Sequence, residues 1–140
     1  MQQFAPENWP RDRWPNFSPR EFTCSTSGEI WVDVAFMDKL QRLRNGVGFP
    51  LKVTSGYRSP QHPIEKAKID AGKRPGAHNT GQAVDIAVRG DKAWAVVHEA
   101  MLLDFTGLGI QQAGEYAARF IHLDTLPNGG GFPRPTIWSY

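Results

Sequence analysis

The chain has 140 residues and a formal net charge of +2, with 40% hydrophobic and 21% charged residues. These values fit one globular domain that buries a core without disulfides, and they exclude wholesale disorder. The mild charge without a basic stripe argues against nucleic-acid binding, and no apolar run is long enough to span a bilayer. The single cysteine, Cys24, excludes a multi-cysteine zinc site, so any metal must use histidine and carboxylate ligands.

The N-terminal region divides into an arm and the start of the domain. Residues 1–17 place three prolines between aromatic residues, which predicts an extended arm whose aromatic side chains pack on the core. Residues 18–140 are predicted to form the functional domain. A short capped helix should open it, because Ser18 and Glu21 have capping-box spacing and Pro19 suits the first helical position.

Helices and strands then follow without a regular strand–helix–strand repeat. A helix is predicted from Asp33 to about Asn45, ended by Gly46, and a helical turn around 65–71 within a long loop at 60–77. A second helix starts at Asp91, with a core-facing stripe of Trp94, Val97, His98 and Met101. Strands are predicted at 51–55, 83–88, 107–110 and 119–124. This order predicts an α+β domain with a mainly antiparallel sheet and packed helices.

Two of the predicted strands carry polar residues on a single face. In the strand AVDIAV, Asp85 lies between two alanines on one face while the other face is aliphatic. In the strand RFIHLD, His122 and Asp124 share a face opposite Ile121 and Leu123. His78 precedes the first strand in a glycine-rich loop.

Two imidazoles and one carboxylate are the ligand set of a catalytic zinc site that keeps one position open. A buried carboxylate also needs a partner, because an unpaired buried charge is costly. By spacing alone these residues fit either a metal site or a solvent-facing set of polar side chains.

The combined motifs carry a more specific signal. SGYRSP at 55–60, GAHNTGQAVDI at 76–86, RFIHLD at 119–124 and the terminal WSY follow one another in order. This series resembles the zinc D-Ala-D-Ala carboxypeptidase family, which includes peptidoglycan L-alanyl-D-glutamate endopeptidases and shares its fold with the hedgehog signalling domain. The resemblance covers the chain from about Phe17 to Tyr140.

The resemblance implies roles for several residues. It implies that His78, Asp85 and His122 bind Zn²⁺ and that Arg58 contacts a substrate carboxylate or carbonyl oxygen. An arginine fork suits a carboxylate, although Arg58 also fits a structural ion pair.

The residues beside Arg58 and those near the C-terminus have two interpretations each. Ser55 and Tyr57 flank Arg58 and can donate hydrogen bonds to substrate, whereas Tyr57 can also simply pack. Trp138 and Tyr140 either wall the substrate groove or close the core.

The general base is where the chain departs from the family pattern. Relatives carry an acidic residue three positions before the last ligand or a histidine two before it, and here those positions hold Arg119 and Phe120. Asp124 is then either the base or a residue that orients a ligand imidazole. Glu115, in a predicted loop, is a third option for the base.

The remaining candidates have simpler explanations. His98 is expected to be a core or boundary histidine on a helix stripe. His62 lies in the loop after SGYRSP and can border the cleft, and Cys24 is expected to be buried without a catalytic partner. The basic loop residues Lys66, Lys68, Lys73 and Arg74 either attract an anionic substrate or are simply solvated.

These observations together predict a zinc peptidase that hydrolyses an amide bond in peptidoglycan stem peptides or cross-links. The alternative is a non-catalytic, zinc-stabilised binding module on the same fold. We expect a monomer that has no nucleic-acid partner and does not insert into a membrane. The first residues lack the basic-then-apolar pattern of a secretory signal, so we expect synthesis in the cytoplasm without a signal peptide. The small size and absent signal resemble a phage endolysin, which implies release to the cell wall by a membrane-opening partner.

Overall fold

The N-terminal segment wraps aromatic side chains around the core. Strand β1 (Gln2–Phe4) pairs antiparallel with β2 (Ile30–Val32), a two-stranded ribbon that the sequence did not predict. Trp9, Trp14 and Phe17 are buried in the main core cluster. A short 3₁₀ helix at Pro6–Asn8 precedes them.

The predicted capped helix after the arm is present as a 3₁₀ turn, Pro19–Phe22. The Ser18 backbone amide donates to Glu21 Oε1 at 2.8 Å, as the capping-box spacing requires. The Phe17 and Phe22 rings lie 6.0 Å apart edge to face, which fixes the direction in which the chain enters the turn.

Five strands form the central sheet of the computed structural model, which describes all 140 residues. Their bounds are β3 Lys52–Ser55, β4 Ala83–Ala87, β5 Gly107–Gln111, β6 Phe120–Asp124 and β7 Thr136–Ser139. The spatial order is β3-β4-β6-β5-β7, and every neighbouring pair is antiparallel except β5 and β7. The expected α+β fold with a mainly antiparallel sheet is therefore confirmed.

Three α-helices complete the domain: α1 (Val34–Val47), α2 (Pro63–Asp70) and α3 (Gly90–Leu102). Helices α1 and α3 contact each other, and their apolar side chains join the aliphatic face of the sheet in one core. The sheet side chains in that core include Val84, Ile86, Ile121 and Leu123, each fully buried. No helix combines the length and the apolar character needed to cross a membrane.

The ends of two helices differ from the expectation. Helix α1 continues through Gly46 to Val47, and the following Gly48, with a φ of 74°, is its C-cap. Gly46 instead leaves room for Glu99 of α3, since an added Cβ would overlap that side chain. Helix α2 begins at Pro63, and His62 caps it by accepting a hydrogen bond from the Ile64 amide at 3.2 Å.

The predicted core stripe of α3 is wrong by about one residue, although Val97 does pack against the core. Trp94 is 71% exposed, and His98 stacks on it at 5.3 Å on the outer surface. The buried residues of α3 are Ala93, Val96 and Ala100. Successive helix residues are about 100° apart around the axis. A core face assigned by the large side chains of α3 is therefore rotated by one residue from the face that is buried.

Candidate metal centre and cleft

The register of two neighbouring strands brings the first two candidate ligands together. Asp85 of β4 is directly opposite His122 of β6 in the antiparallel ladder. Asp85 Oδ1 lies 3.0 Å from His122 Nδ1. Residues alternate across a strand, so both side chains stand on the face opposite the aliphatic core.

The third candidate ligand comes from the 3₁₀ helix Ala77–Thr80, just before β4. His78 Nε2 lies 3.2 Å from Asp85 Oδ1, and His78 Nδ1 lies 2.8 Å from the Gly56 carbonyl oxygen. The Arg58 amide donates to the His78 carbonyl at 3.1 Å, which ties this helix to the SGYRSP segment. His78 is thus fixed at its ring and at its backbone.

The three residues fit a metal ion by the chemistry of their donors. One atom from each of His78, Asp85 and His122 lies within 4.8 Å of the others. The second nitrogen of each imidazole contacts a protein oxygen, Gly56 O for His78 and Asp124 Oδ2 for His122. Such outer hydrogen bonds fix the ring orientation of metal-binding histidines.

The electrostatics of the cluster keep one negative charge at its centre. Burial alone would raise the pKa of Asp85, but hydrogen bonds with His122 and His78 outweigh it and lower that pKa. Burial lowers the pKa of His78, so this imidazole is neutral and can offer a nitrogen lone pair. Burial would also lower the pKa of His122, but hydrogen bonds with Asp124 and Asp85 raise it instead.

Asp124 lies behind the cluster rather than in the cleft. It is fully buried, and its Oδ2 is 2.8 Å from His122 Nε2. Arg134 donates to both of its oxygens at 2.9 and 2.8 Å, and the Leu126 amide donates to Oδ1. Burial tends to raise the pKa of Asp124, but hydrogen bonds with His122 and Arg134 bring it to about 2. These contacts favour the orienting role over the role of base, because both oxygens are already bound.

Two glycines of β5 make room for this arrangement. A Cβ on Gly107 would overlap the Asp124 carboxylate, and one on Gly109 would lie 2.8 Å from the Trp138 ring. The Trp138 ring in turn lies 5.2 Å from the His122 ring. The sequence GLGI therefore leaves space beside the cluster on the polar face of the sheet.

The cluster lies in a cleft of about 750 Å³. Its cationic lining consists of Arg58, Lys68, Lys73, Arg74 and Arg134, and its aromatic lining of Phe120, Phe132, Trp138 and Tyr140. Asp85 is the only carboxylate among the lining residues. The cleft is therefore suited to an anionic ligand.

The residues predicted to contact substrate line two adjoining spaces, which share Arg58. Arg58 and Trp138 line the cleft, whereas Ser55 and Tyr57 line a neighbouring groove of about 470 Å³ that also includes Arg58. His62 lines this groove rather than the cleft. Tyr57 is buried, which agrees with packing, and its expected substrate contact stays a prediction.

Two other candidates stand apart from the cluster. Glu115 is exposed next to the 3₁₀ turn Tyr116–Ala118 and does not line the cleft. Cys24 is buried beside Ser59, with no histidine among its hydrogen-bond partners. Neither is placed to take part in the chemistry of the cluster.

Three features of the site were missed from the sequence. They are the Arg134 contact with Asp124, the glycines opposite the cluster, and a fully buried glutamate, Glu65, beside Arg58. The alternation of glycines in GLGI at a predicted strand was the one local signal, because glycine in a strand often marks a close approach.

The model of the peptidase M15 family matches residues 15–124, most of the chain. The protein belongs to this family. Its members are zinc metallopeptidases, which supports a zinc peptidase role on peptidoglycan in general, and the donor atoms of the His-Asp-His cluster lie close enough together to hold such an ion. No curated protein and no solved structure matches the chain.

Proposed function

We propose that this protein is a zinc peptidase that hydrolyses an amide bond in peptidoglycan stem peptides or their cross-links. The observation that carries the proposal is the convergence of His78, Asp85 and His122 inside a cationic, aromatic-walled cleft. Family membership supplies the reaction class, and the cleft supplies a place for an anionic peptide.

In this proposal, His78, Asp85 and His122 hold the zinc ion. A bound zinc ion supplies Lewis-acid polarisation of the scissile carbonyl and activation of water. The Gly56 carbonyl and the Asp124 carboxylate hold the two imidazoles in orientation, each through the ring nitrogen remote from Asp85. Asp124 is then a positioning residue, and Arg134 keeps its carboxylate ionised and in place.

Arg58 is proposed to bind a substrate carboxylate or carbonyl oxygen. Its side chain is 16% exposed at the junction of the cleft and the neighbouring groove. Its guanidinium carries five N–H donors, more than its two acidic neighbours can occupy. Trp138, which lines the same cleft, would pack against the bound peptide.

One observation favours a second candidate function, a non-catalytic zinc-stabilised binding module. Asp85 is the one acidic side chain that lines the cleft, and in the proposed site it binds the metal. The cleft therefore has no other carboxylate that can act as a base. Partial burial raises the pKa of Tyr140, so its phenol keeps its proton near neutral pH and does not supply a base either. A binding module would retain the zinc and the anionic peptide but would release no fragments.

The experiment that separates the two functions is digestion of purified Gram-negative sacculi. Soluble fragments are measured by mass spectrometry with and without a zinc chelator, and protein that sediments with the sacculi is measured in parallel. Chelator-sensitive fragments support the peptidase, and their masses identify the cleaved bond. Sedimentation without fragments supports the binding module. His122→Ala is the control, and unchanged fragment release by this variant would contradict the proposed metal site.

A further inference from the structure

We propose that Glu65 is a positioning residue that holds the Arg58 guanidinium in place for substrate. The inference rests on the proposed substrate contact of Arg58. It assigns a role in the site to helix α2, whose residues are otherwise surface residues.

The burial of Glu65 is the first observation. It is the one buried residue of α2, and its side chain is 0% exposed. A buried carboxylate is costly unless it is paired, and an apolar side chain would anchor a surface helix at lower cost. The position therefore requires the charge for a reason other than packing.

The contacts of the two Glu65 oxygens show how this charge is used. Oε2 accepts a hydrogen bond from the Gly76 amide at 2.6 Å. Oε1 lies 3.4 Å from Lys68 Nζ and 3.9 Å from Arg58 Nη1. A Cβ on Gly76 would displace the end of the Lys68 side chain and crowd the Glu65 carboxylate, so the glycine lets this carboxylate approach the backbone closely.

Arg58 is thus held between two carboxylates. Its Nη2 lies 3.5 Å from Asp85 Oδ2, and its other terminal nitrogen, Nη1, lies 3.9 Å from Glu65 Oε1. Both distances exceed the about 2.7–2.9 Å of a close charge-assisted hydrogen bond, so the guanidinium keeps donors for a ligand. Without Glu65, the remaining acidic neighbour is Asp85, and Arg58 would move onto this metal ligand and away from substrate.

The backbone of Arg58 does not need Glu65. The Arg58 amide donates to the His78 carbonyl at 3.1 Å, and Asn79 Nδ2 donates to the Arg58 carbonyl at 3.0 Å. The contact of Glu65 with Arg58 is therefore made to the side chain alone, while its contact with the Gly76 amide supports the loop before His78, and the tests below separate the two roles.

The first test observes the Arg58 side chain directly, by NMR of arginine Nε–Hε groups in the zinc-loaded protein. Arg58→Lys identifies the Arg58 signal by its loss. We expect Glu65→Gln to shift and broaden this signal, because the ion pair is lost. Asp70→Asn is the matched control: it removes a negative charge from the same helix, but Asp70 pairs only with the exposed Lys66. An unchanged Arg58 signal in Glu65→Gln would overturn the proposal whether or not the protein is a peptidase.

The second test uses initial rates on the stem tetrapeptide L-Ala-D-Glu-diaminopimelate-D-Ala or on the cross-linked dimer of this peptide. Removing a negative charge would by itself tighten the binding of an anionic substrate to the cleft. Loss of positioning predicts the opposite, a KM raised by about tenfold with a smaller change in kcat, as expected when a charge-assisted contact is misplaced.

A double-mutant cycle separates positioning from a merely structural role. In the Arg58→Lys background, Glu65→Gln should have no further effect on KM, because lysine cannot form the same fork. An equal effect in both backgrounds, or a lower KM in Glu65→Gln, would contradict the proposal. Thermal melts verify that each variant is folded. Lack of turnover by the unmodified protein would contradict the proposed function, while the NMR result would still decide the role of Glu65.

Discussion

The two faces of the central sheet are built by different physical rules, although they share the same strands. On one face, side chains such as Ile86 and Leu123 are fully buried in an apolar core against the helices. On the other, Asp85, His122 and Asp124 each contact a specific polar partner at hydrogen-bond distance. The apolar face needs volume and hydrophobicity, which many residues supply. The polar face needs particular atoms at particular places, so its residues are far less replaceable.

The largest expected effect on stability comes from the apolar face. Leu123→Ala should lower the free energy of unfolding by about 2–5 kcal/mol, because it removes fully buried methyl groups and leaves a cavity. Zinc affinity of the folded fraction should stay the same. Chemical denaturation and a zinc titration measure the two quantities. A large loss of zinc affinity at full folding would show that the two faces are not independent.

A substitution on the polar face should instead lower zinc affinity strongly. Asp85→Asn should lower zinc affinity by more than about 100-fold, since even partners outside the ligand set typically contribute 10–100-fold. The reason is the loss of the central negative charge between His78 and His122. Competition with a chromogenic chelator measures the affinity. Ile86→Val, one residue along the same strand, is the control and should cost about 1 kcal/mol of stability without changing zinc affinity.

Asp124→Asn separates the two roles that the sequence left open. If Asp124 orients His122, zinc affinity should fall about 10–100-fold, and turnover should recover in part at saturating zinc. If Asp124 were the base, zinc affinity would be unchanged and turnover would be lost at every zinc concentration. Zinc titrations followed by rate measurements at saturating zinc make the distinction.

Arg134→Lys should have the smallest effect on zinc binding. Lysine keeps the charge but loses the fork that donates to both oxygens of Asp124, so a decrease in zinc affinity of about tenfold or less is expected. Chelator competition measures it. Arg13→Lys, which alters a similar fork to Asp38 on the exposed surface, should leave zinc affinity unchanged. Equal changes in zinc affinity in both variants would show that Arg134 has no specific role in zinc binding.

Local sequence patterns, such as the alternation of side chains along a strand, predicted the fold well. The alternation in AVDIA and FIHLD placed Asp85 and His122 on one face, and the strand register puts them opposite each other. What the sequence did not indicate depends on the packing of distant segments. Arg134 reaches Asp124 from a loop ten residues later, and Glu65 meets Arg58 only when α2 folds over the SGYRSP segment. Strand β7 was also missed, because its parallel pairing with β5 leaves no local pattern.

The central claim is that His78, Asp85 and His122 together hold zinc. Zinc K-edge X-ray absorption on the purified protein, combined with metal analysis, tests it most directly. The account predicts one zinc ion per chain with scattering from two imidazoles and oxygen ligands, and loss of that zinc in His122→Ala. Bound zinc with sulfur scattering from Cys24, or full zinc retention by His122→Ala, would contradict it.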